Sequence, residues 1–402
     1  MLTQYFYPET GAAQVRLLEI ARQIWQHGHT VEVVTAFPNY PTGVIPEQYR
    51  GKLFQKDLVA GIPVYRTWIY PVRRGRFWQR LLNYFSFVLS SVYGVLKAGP
   101  ADYLLLESPP LFLGLTAALA CRLKKAQLIL NVSDLWPESA VSLGLVENKA
   151  LIRLAEGLET YLYRLAWRIS GQTEGIMATL QSRGIPAGKL VLLPNGVNPD
   201  LFAPGEPDPE LAARLGLAEK FVVLYAGTMG YAHGLEVALQ AADILRAQAE
   251  IVFLFVGDGS ERPRLEQLAG ELNLPNVRWL PYQPLVEIGR YYRLADLSLS
   301  TLRRYKLAEG VRPSKLFPGL ASGKPLIYVG EGEGARIVRA SGGGVVLPPG
   351  EPQLLADAIL QLQSAPEQGR KLGQQGREFV LANYTWSTLI DRWLEKLGLA
   401  GN

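Results

Sequence analysis

Three groups of residues have the types and spacing to do chemistry. The first is the stretch Glu309 to Pro325, EGVRPSKLFPGLASGKP. With Ser314 as a helix N-cap, the free first-turn N–H groups and the Lys315 ammonium would face an anion, giving a phosphate site without a P-loop. Arg312 adds a second cation. The second group is Gly227-Thr228-Met229-Gly230 with His233, directly after the apolar run Phe221 to Ala226. Glycine there lets backbone amides face an anion, although any parallel-sheet turn at that place needs glycine. The third is Ser133-Asp134-Leu135-Trp136-Pro137-Glu138. Carboxylates just past a buried strand, here Asp134 and Glu138, can orient a hydroxyl or stabilise a cationic centre. Asp134 equally suits a helix cap. A fourth turn, Pro8 to Ala13, has Gly11 and two alanines, small enough for a ligand to approach the backbone.

Metal chemistry finds little support. No D-x-D pair is present to hold a divalent ion on a diphosphate, and His27-Gly28-His29 lacks a third ligand nearby. Neutralising a bound diphosphate therefore falls to Lys315, Arg312 and helix starts. No cofactor is implied.

The elements that must position these groups alternate strand and helix. In the first half, strands are expected at Leu2–Tyr5, Thr30–Thr35, Tyr103–Leu106 and Gln127–Val132, with helices near Val15–Gln26 and Leu113–Leu123. A basic-aromatic helix is expected between the second and third strands. The second half repeats the rhythm with strands at Phe221–Ala226, Ile251–Val256, Val277–Pro281, Leu297–Leu302 and Leu326–Val329. Such alternation indicates parallel sheets, an α/β fold of two doubly wound, Rossmann-like domains facing across a cleft. At 402 residues the chain suits two domains. The turn-rich Pro194 to Asp200 divides them into residues 1–194 and 195–380, and residues 381–402 form a helix placed to cross back. The opening strand is short enough that the natural start is expected to lie a few residues upstream.

Composition excludes disorder and a disulfide framework. The chain is 48% hydrophobic and 19% charged, with one cysteine. Its net charge of +5 is unevenly placed. Arg66, Arg73, Arg74, Arg76 and Arg80 interleave with Trp68, Tyr70, Phe77 and Trp78. An uncharged amphipathic run, Leu81 to Leu96, follows and is too short and polar to span a bilayer. Arg73, Arg74, Arg76 and Trp78 read as a membrane or acceptor surface, with a solvated basic face over a core helix as the alternative.

Taken in order, QYFYPETGAA, GHTVEVVTAFPNYPTG, SDLWPESAVSLG, LLPNGVNPDLF, YAGTMGYAHGLE, VGDGSE, NVRWLPYQP and RPSKLF…LASGKPLI resemble a family 4 glycosyltransferase of the GT-B architecture over nearly the whole chain. The resemblance is strongest to transferases of bacterial surface-polysaccharide assembly. It implies transfer of a sugar from a nucleotide diphosphate sugar, expected to be a UDP-sugar, to a hydroxyl of a lipid-linked saccharide, with retention and no obligatory metal. The single cysteine fits a reducing cytoplasm, the Arg and aromatic cluster points to the inner membrane face, and no nucleic acid partner is expected.

By the same resemblance, Gly11, Thr228, His233, Ser314 and Lys315 line the diphosphate. Tyr282 and Gln283 meet the base, and Asp134 faces the transferred sugar. Three departures stand out. Thr228 and His233 replace the family's Arg and Lys, no E-x7-E pair follows Glu309, and Pro318 stands where relatives carry a ribose-binding glutamate. A degenerate transferase that binds nucleotide or a partner without turnover, and a nucleotide-sugar epimerase, are the alternatives.

Overall fold

Continuous apolar runs such as Phe221–Ala226 and Ile251–Val256 form strands buried on both faces, as parallel sheets between helical layers require. The computed structural model describes residues 1–9, 11–40, 42–73, 77–138, 148–304 and 310–400, with only the backbone of residues 12 and 77. Arg74 and Arg76 lie outside the described residues. The chain divides into two compact units, Met1–Pro194 with Leu389–Asn402, and Asn195–Thr388.

The first unit contains α1 (Ala12–Gln26), β1 (Val33–Ala36), β2 (Phe54–Val59), β3 (Ile62–Thr67), α2 (Phe77–Lys97) and β4 (Tyr103–Ser108). It continues through α3 (Gly114–Lys124), β5 (Gln127–Val132), α4 (Lys149–Leu165), β6 (Arg168–Gly171), α5 (Glu174–Ser182) and β7 (Leu190–Leu192). Strands β4, β5, β6 and β7 are neighbours in that order and parallel. Leu2 bridges Val34 of β1 and Leu106 of β4, joining these strands to the β1-β3-β2 group. The expected Leu2–Tyr5 strand thus narrows to one bridging residue.

A larger correction concerns β2 and β3, an antiparallel hairpin turning at Ala60 and Gly61, both at positive φ. Arg66 belongs to β3, not to a surface helix. It is buried, with Nε donating to Asp57 Oδ2 at 2.6 Å and Nη2 to the Tyr7 carbonyl at 2.6 Å.

The second unit runs α6 (Pro209–Leu215), β8 (Phe221–Ala226), α7 (Glu236–Ile244), β9 (Ile251–Val256), α8 (Arg262–Glu271), β10 (Val277–Leu280), α9 (Leu285–Leu294) and β11 (Leu297–Thr301). Then come α10 (Leu316–Ala321), β12 (Leu326–Val329), α11 (Gly332–Ser341), β13 (Gly344–Leu347), α12 (Pro352–Ser364) and α13 (Pro366–Asn383). Its strands are all parallel, in the order β10-β9-β8-β11-β12-β13. Alternate residues of β8 enter two separate cores, Val222, Leu224 and Ala226 on one face and Val223 and Tyr225 on the other. That is the doubly wound arrangement.

The final helix, α14 (Trp386–Leu397), begins in the second unit and ends in the first. Within the first unit, Trp393 Nε1 donates to Ser170 Oγ at 2.7 Å, and Asp391 pairs with His27 of α1.

Candidate functional site

The order of the second sheet locates a site before any side chain is considered. Chain progression runs outward from β8 through β9 to β10, then restarts at β11 on the other side of β8. The carboxyl ends of β8 and β11 flank this switch point, where loops diverge and leave a crevice. The Gly227–Gly234 loop leaves β8 there, and the segment that ends in Lys315 leaves β11.

Gly227 has φ +137° and Gly257, after β9, has φ +144°, a region that favours glycine. The two loops touch, and a Cβ on Gly257 would overlap the Gly227 carbonyl. Tyr225 Oη donates to the Thr228 carbonyl at 2.6 Å, and Met229 N to the Asp258 carbonyl at 2.8 Å. The loop is therefore held from both sides. Thr228 is exposed on it.

Lys315 lies against this loop. Its Nζ is 3.1 Å from His233 Nε2 and 5.5 Å from the centre of the Tyr225 ring. A Cβ on Gly227 would come within 2.6 Å of Lys315 Cε, so glycine is needed for the lysine to lie there. Desolvation of the ammonium pushes its pKa down to about 7. Among the described residues, Lys315 has no ion-pair partner. His233 is held neutral, its pKa lowered to about 3 by burial and then by the charge of Lys315. Since Nε2 accepts from the ammonium, the imidazole proton is assigned to Nδ1, which is buried and without a hydrogen-bond partner among the described residues. Thr301 Oγ1 fixes the turn by donating to the His233 carbonyl at 2.6 Å.

Several expected members stand differently. Ser314 is not the N-cap: α10 begins at Leu316, Lys315 is its capping residue, and no side chain caps it. The polar group at this helix start is thus the Lys315 ammonium rather than a side-chain cap. Pro318 becomes the third helical residue, where an N–H would lack an intrahelical acceptor, so it forfeits no bond. Gly319 is explained by Ser298 of β11, whose side chain occupies the space a Cβ would need.

Arg312 is not an open cation. It is buried, with Nε donating to Glu333 Oε1 at 2.7 Å, and it lies 5.7 Å over the Tyr384 ring. Tyr282 and Gln283 follow the edge strand β10, Tyr282 exposed and Gln283 half-buried, and Gln283 Nε2 donates to the Pro281 carbonyl at 3.0 Å. Arg303 went unforeseen. It follows β11, stacks 4.2 Å from the Tyr231 ring centre and pairs with Glu236, which Arg264 shares. Paired arginines directly after a strand at the switch point were the available signal.

In the first unit, the carboxyl ends of β4 and β5 carry a buried polar network. Arg16 Nη1 of α1 donates to Glu107 Oε1 at 3.0 Å and to Ser133 Oγ at 2.7 Å. Asn131 and Ser133 also donate to Glu107. Asp134 follows this anchor and is exposed. Glu138 is exposed and ion-paired with Arg183, which also holds the buried Glu159. Gly11 is the extended N-cap of α1, with φ −76° and ψ 164°. The carboxylate of nearby Glu9 accepts from the Asn39 and Tyr40 amides at 2.8 Å, and burial raises its pKa. Arg73 is exposed, as is Trp78 on α2.

Residues 11–196 match the family described as "Glycosyl transferase 4-like domain", and residues 208–379 match "Glycosyl transferases group 1". The chain is a family 4 glycosyltransferase of the GT-B fold. It is similar to the putative colanic acid biosynthesis glycosyl transferase WcaI of Escherichia coli K12, 27% identical with 78% of each chain covered. It is also 26% identical to the probable glycosyltransferase WbjE of Pseudomonas aeruginosa, with 76% of each chain covered. Among solved structures, Anabaena Alr3699/HepE in complex with UDP-glucose superposes with a TM-score of 0.71, at 18% identity, covering 99% of this chain and 98% of that one.

Proposed function

We propose that this glycosyltransferase moves a sugar, with retention, from a UDP-sugar to a hydroxyl of a lipid-linked saccharide in surface-polysaccharide assembly. The observation that carries the donor half is Lys315, a desolvated ammonium with no ion-pair partner among the described residues, set against a glycine loop at the switch point. A half-buried, desolvated cation without a counter-ion is costly, and a diphosphate would supply that counter-ion. The UDP-glucose complex of the similar HepE fold supports a uridine donor, and the name of WcaI supports polysaccharide assembly.

Cleavage of the bond between the anomeric carbon and the phosphate oxygen leaves negative charge on the departing diphosphate. The Lys315 ammonium and the Thr228 and Gly230 amides are the groups this chain offers to stabilise it, the Gly227 and Met229 amides being engaged by the Val256 and Asp258 carbonyls. His233, neutral and with its proton on Nδ1, holds the ammonium in place through Nε2. Positive charge develops on the sugar ring, and Asp134 is the carboxylate assigned to it, with Ser133 anchored by Arg16 and Glu107 immediately before it. Thr228 and the turn at Tyr282 and Gln283 are assigned to phosphate and base.

The test pairs a UDP-sugar panel, read by thermal shift, with transfer to lipid-linked acceptors in a membrane extract. Lys315→Met is expected to lower kcat by about 100-fold or more, the scale of losing one transition-state donor. A Lys315→Met enzyme with unchanged UDP-sugar affinity and turnover would sink the assignment.

A further inference from the structure

Helix α2 buries a mixed face, with Phe87, Val88 and Val95 beside polar side chains, and exposes an apolar one. Its inward face carries Asn83, Ser86, Ser90 and Ser91, each hydrogen-bonded within the first unit: Asn83 to Gln4 and the Tyr70 carbonyl, Ser86 to the Tyr70 amide, Ser90 to the Trp68 carbonyl, Ser91 to Thr116. Its outward face carries Trp78, Leu82, Phe85, Leu89, Tyr93 and Leu96, with Leu89 75% and Trp78 70% exposed. Those positions recur at three- and four-residue steps, one continuous stripe along the helix.

Beside it lies α3, tied through Thr116, whose Oγ1 donates to the Val88 carbonyl at 2.7 Å. Both helices point Phe87, Val95, Ala117 and Ala120 into one core. Their outer sides therefore face the same way, and α3 adds exposed Leu115, Leu119 and Leu123. An apolar face of this extent on a monomer marks an interaction surface.

Charge decides what covers it. No carboxylate occurs between Asp57 and Asp102, or between Glu107 and Asp134. The bordering charges on the two helices, Arg80, Lys97, Arg122 and Lys124, are all basic. A second copy docked by a two-fold axis would bring these cations together with no carboxylate on either helix to answer them. An anionic lipid surface answers them everywhere. Among the described residues, no helix is long and apolar enough to cross a membrane. We propose that the outward face of α2 and α3 lies in the interface of an anionic bilayer, with α2 parallel to its plane. This rests on the lipid-linked acceptor reading, and it centres the membrane surface expected at Arg73, Arg74, Arg76 and Trp78 on α2 and α3, keeping Trp78.

Flotation of the full chain tests it, using vesicles of equal parts phosphatidylglycerol and phosphatidylcholine against vesicles of phosphatidylcholine alone. Wild type should partition to the anionic vesicles, and Leu82→Glu with Leu89→Glu should lower that partition by about 100-fold or more. UDP-sugar affinity and circular dichroism should stay unchanged in the double variant. A double variant that still floats like wild type overturns the proposal. So does a solution dimer that the double variant dissociates, since the face would then belong to a second copy. Should the double variant fail to fold, a fluorophore on Leu89→Cys, inside the bilayer interface, should be quenched by brominated phosphatidylglycerol, and an unquenched label counts against it. Vesicle binding is read without donor or acceptor and UDP-sugar binding without lipid, so either reading can fail alone.

Discussion

Donor binding should take up a proton, because Lys315 meets its anion from a state in which it has half lost its charge. In the free protein its pKa is pushed down to about 7 by desolvation, against an ordinary lysine value of 10.5. A diphosphate in contact with the ammonium restores at least the ordinary value. At pH 8 the free enzyme then carries about 0.1 proton on Lys315 and the complex about 1, an uptake of roughly 0.9; at pH 6 the uptake falls to about 0.1. Apparent affinity follows the protonated fraction, so the donor dissociation constant should rise about tenfold between pH 6 and pH 8, about 1.4 kcal/mol.

Among the described residues, the titratable groups against Lys315 add nothing to that window. His233 is neutral with its pKa lowered to about 3, and burial raises the Tyr225 pKa well above its ordinary value. The assay is isothermal titration calorimetry of a UDP-sugar in buffers of different ionisation enthalpy, at pH 6, 7 and 8. A UDP-sugar is chosen over UDP because a terminal phosphate itself titrates near about pH 6. Lys315→Met should abolish the slope. Flat affinity from pH 6 to pH 8 with no proton uptake in wild type would refute the reasoning.

The same lysine should make the unliganded protein less stable. Its folded pKa lies below the unfolded one, so the unfolded state binds more protons between pH 7 and 10.5, and stability rises with pH across that window. Lys315→Met should accordingly stabilise the fold most at pH 7 and below, by on the order of a few kcal/mol, read as a higher Tm in pH-dependent thermal melts. Gly227→Ala should cost about 1–3 kcal/mol for its backbone conformation and displace Lys315, weakening UDP-sugar binding by about tenfold or more in the same calorimetry. Arg16→Met should cost about 3–5 kcal/mol in denaturant unfolding by leaving Glu107 buried without its cation. Pro318→Glu should change stability by less than about 1 kcal/mol, since no helical hydrogen bond is at stake, while two added carboxylate hydrogen bonds to ribose tighten the UDP complex by about tenfold or more.

What could be read from the sequence tracks how locally each feature is encoded. Strands β5, β8 and β9 were placed at their observed ends, because a strand buried on both faces is an unbroken apolar run closed by a glycine or polar turn. The β2–β3 hairpin escaped because Phe54–Val59 is half-exposed and carries Lys56 and Asp57, so it offers neither clean alternation nor a continuous run. Its Ala60-Gly61 turn was the one local signal. The pairing of Lys315 with His233 spans 82 positions, and that of Arg312 with Glu333 spans 21. Nothing in the residue types tells a lysine awaiting an anion from an arginine already paired. That distinction is made by packing, which sets Glu333 of α11 against one cation and a bare glycine loop against the other.

This division explains how the chain manages without the Arg and Lys that its resemblance led one to expect at Thr228 and His233. Arg303 is engaged by Glu236, Arg262 by Glu266 and two carbonyls, and Arg312 by Glu333. Each holds a loop or helix in place. Among the described residues Lys315 is kept apart from carboxylates, and its neighbours suit that state: neutral His233 accepts its hydrogen bond without cancelling its charge, and the Tyr225 ring offers a weak cation-facing surface. A carboxylate at position 233 would satisfy the lysine permanently and compete with the donor. A second cation there would push the Lys315 pKa lower still and empty it of charge at neutral pH. Histidine does neither. On the proposed donor site, a neutral imidazole would compensate for the loss of the family's basic pair, leaving Lys315 poised between charge states and able to gain its full charge as a diphosphate binds.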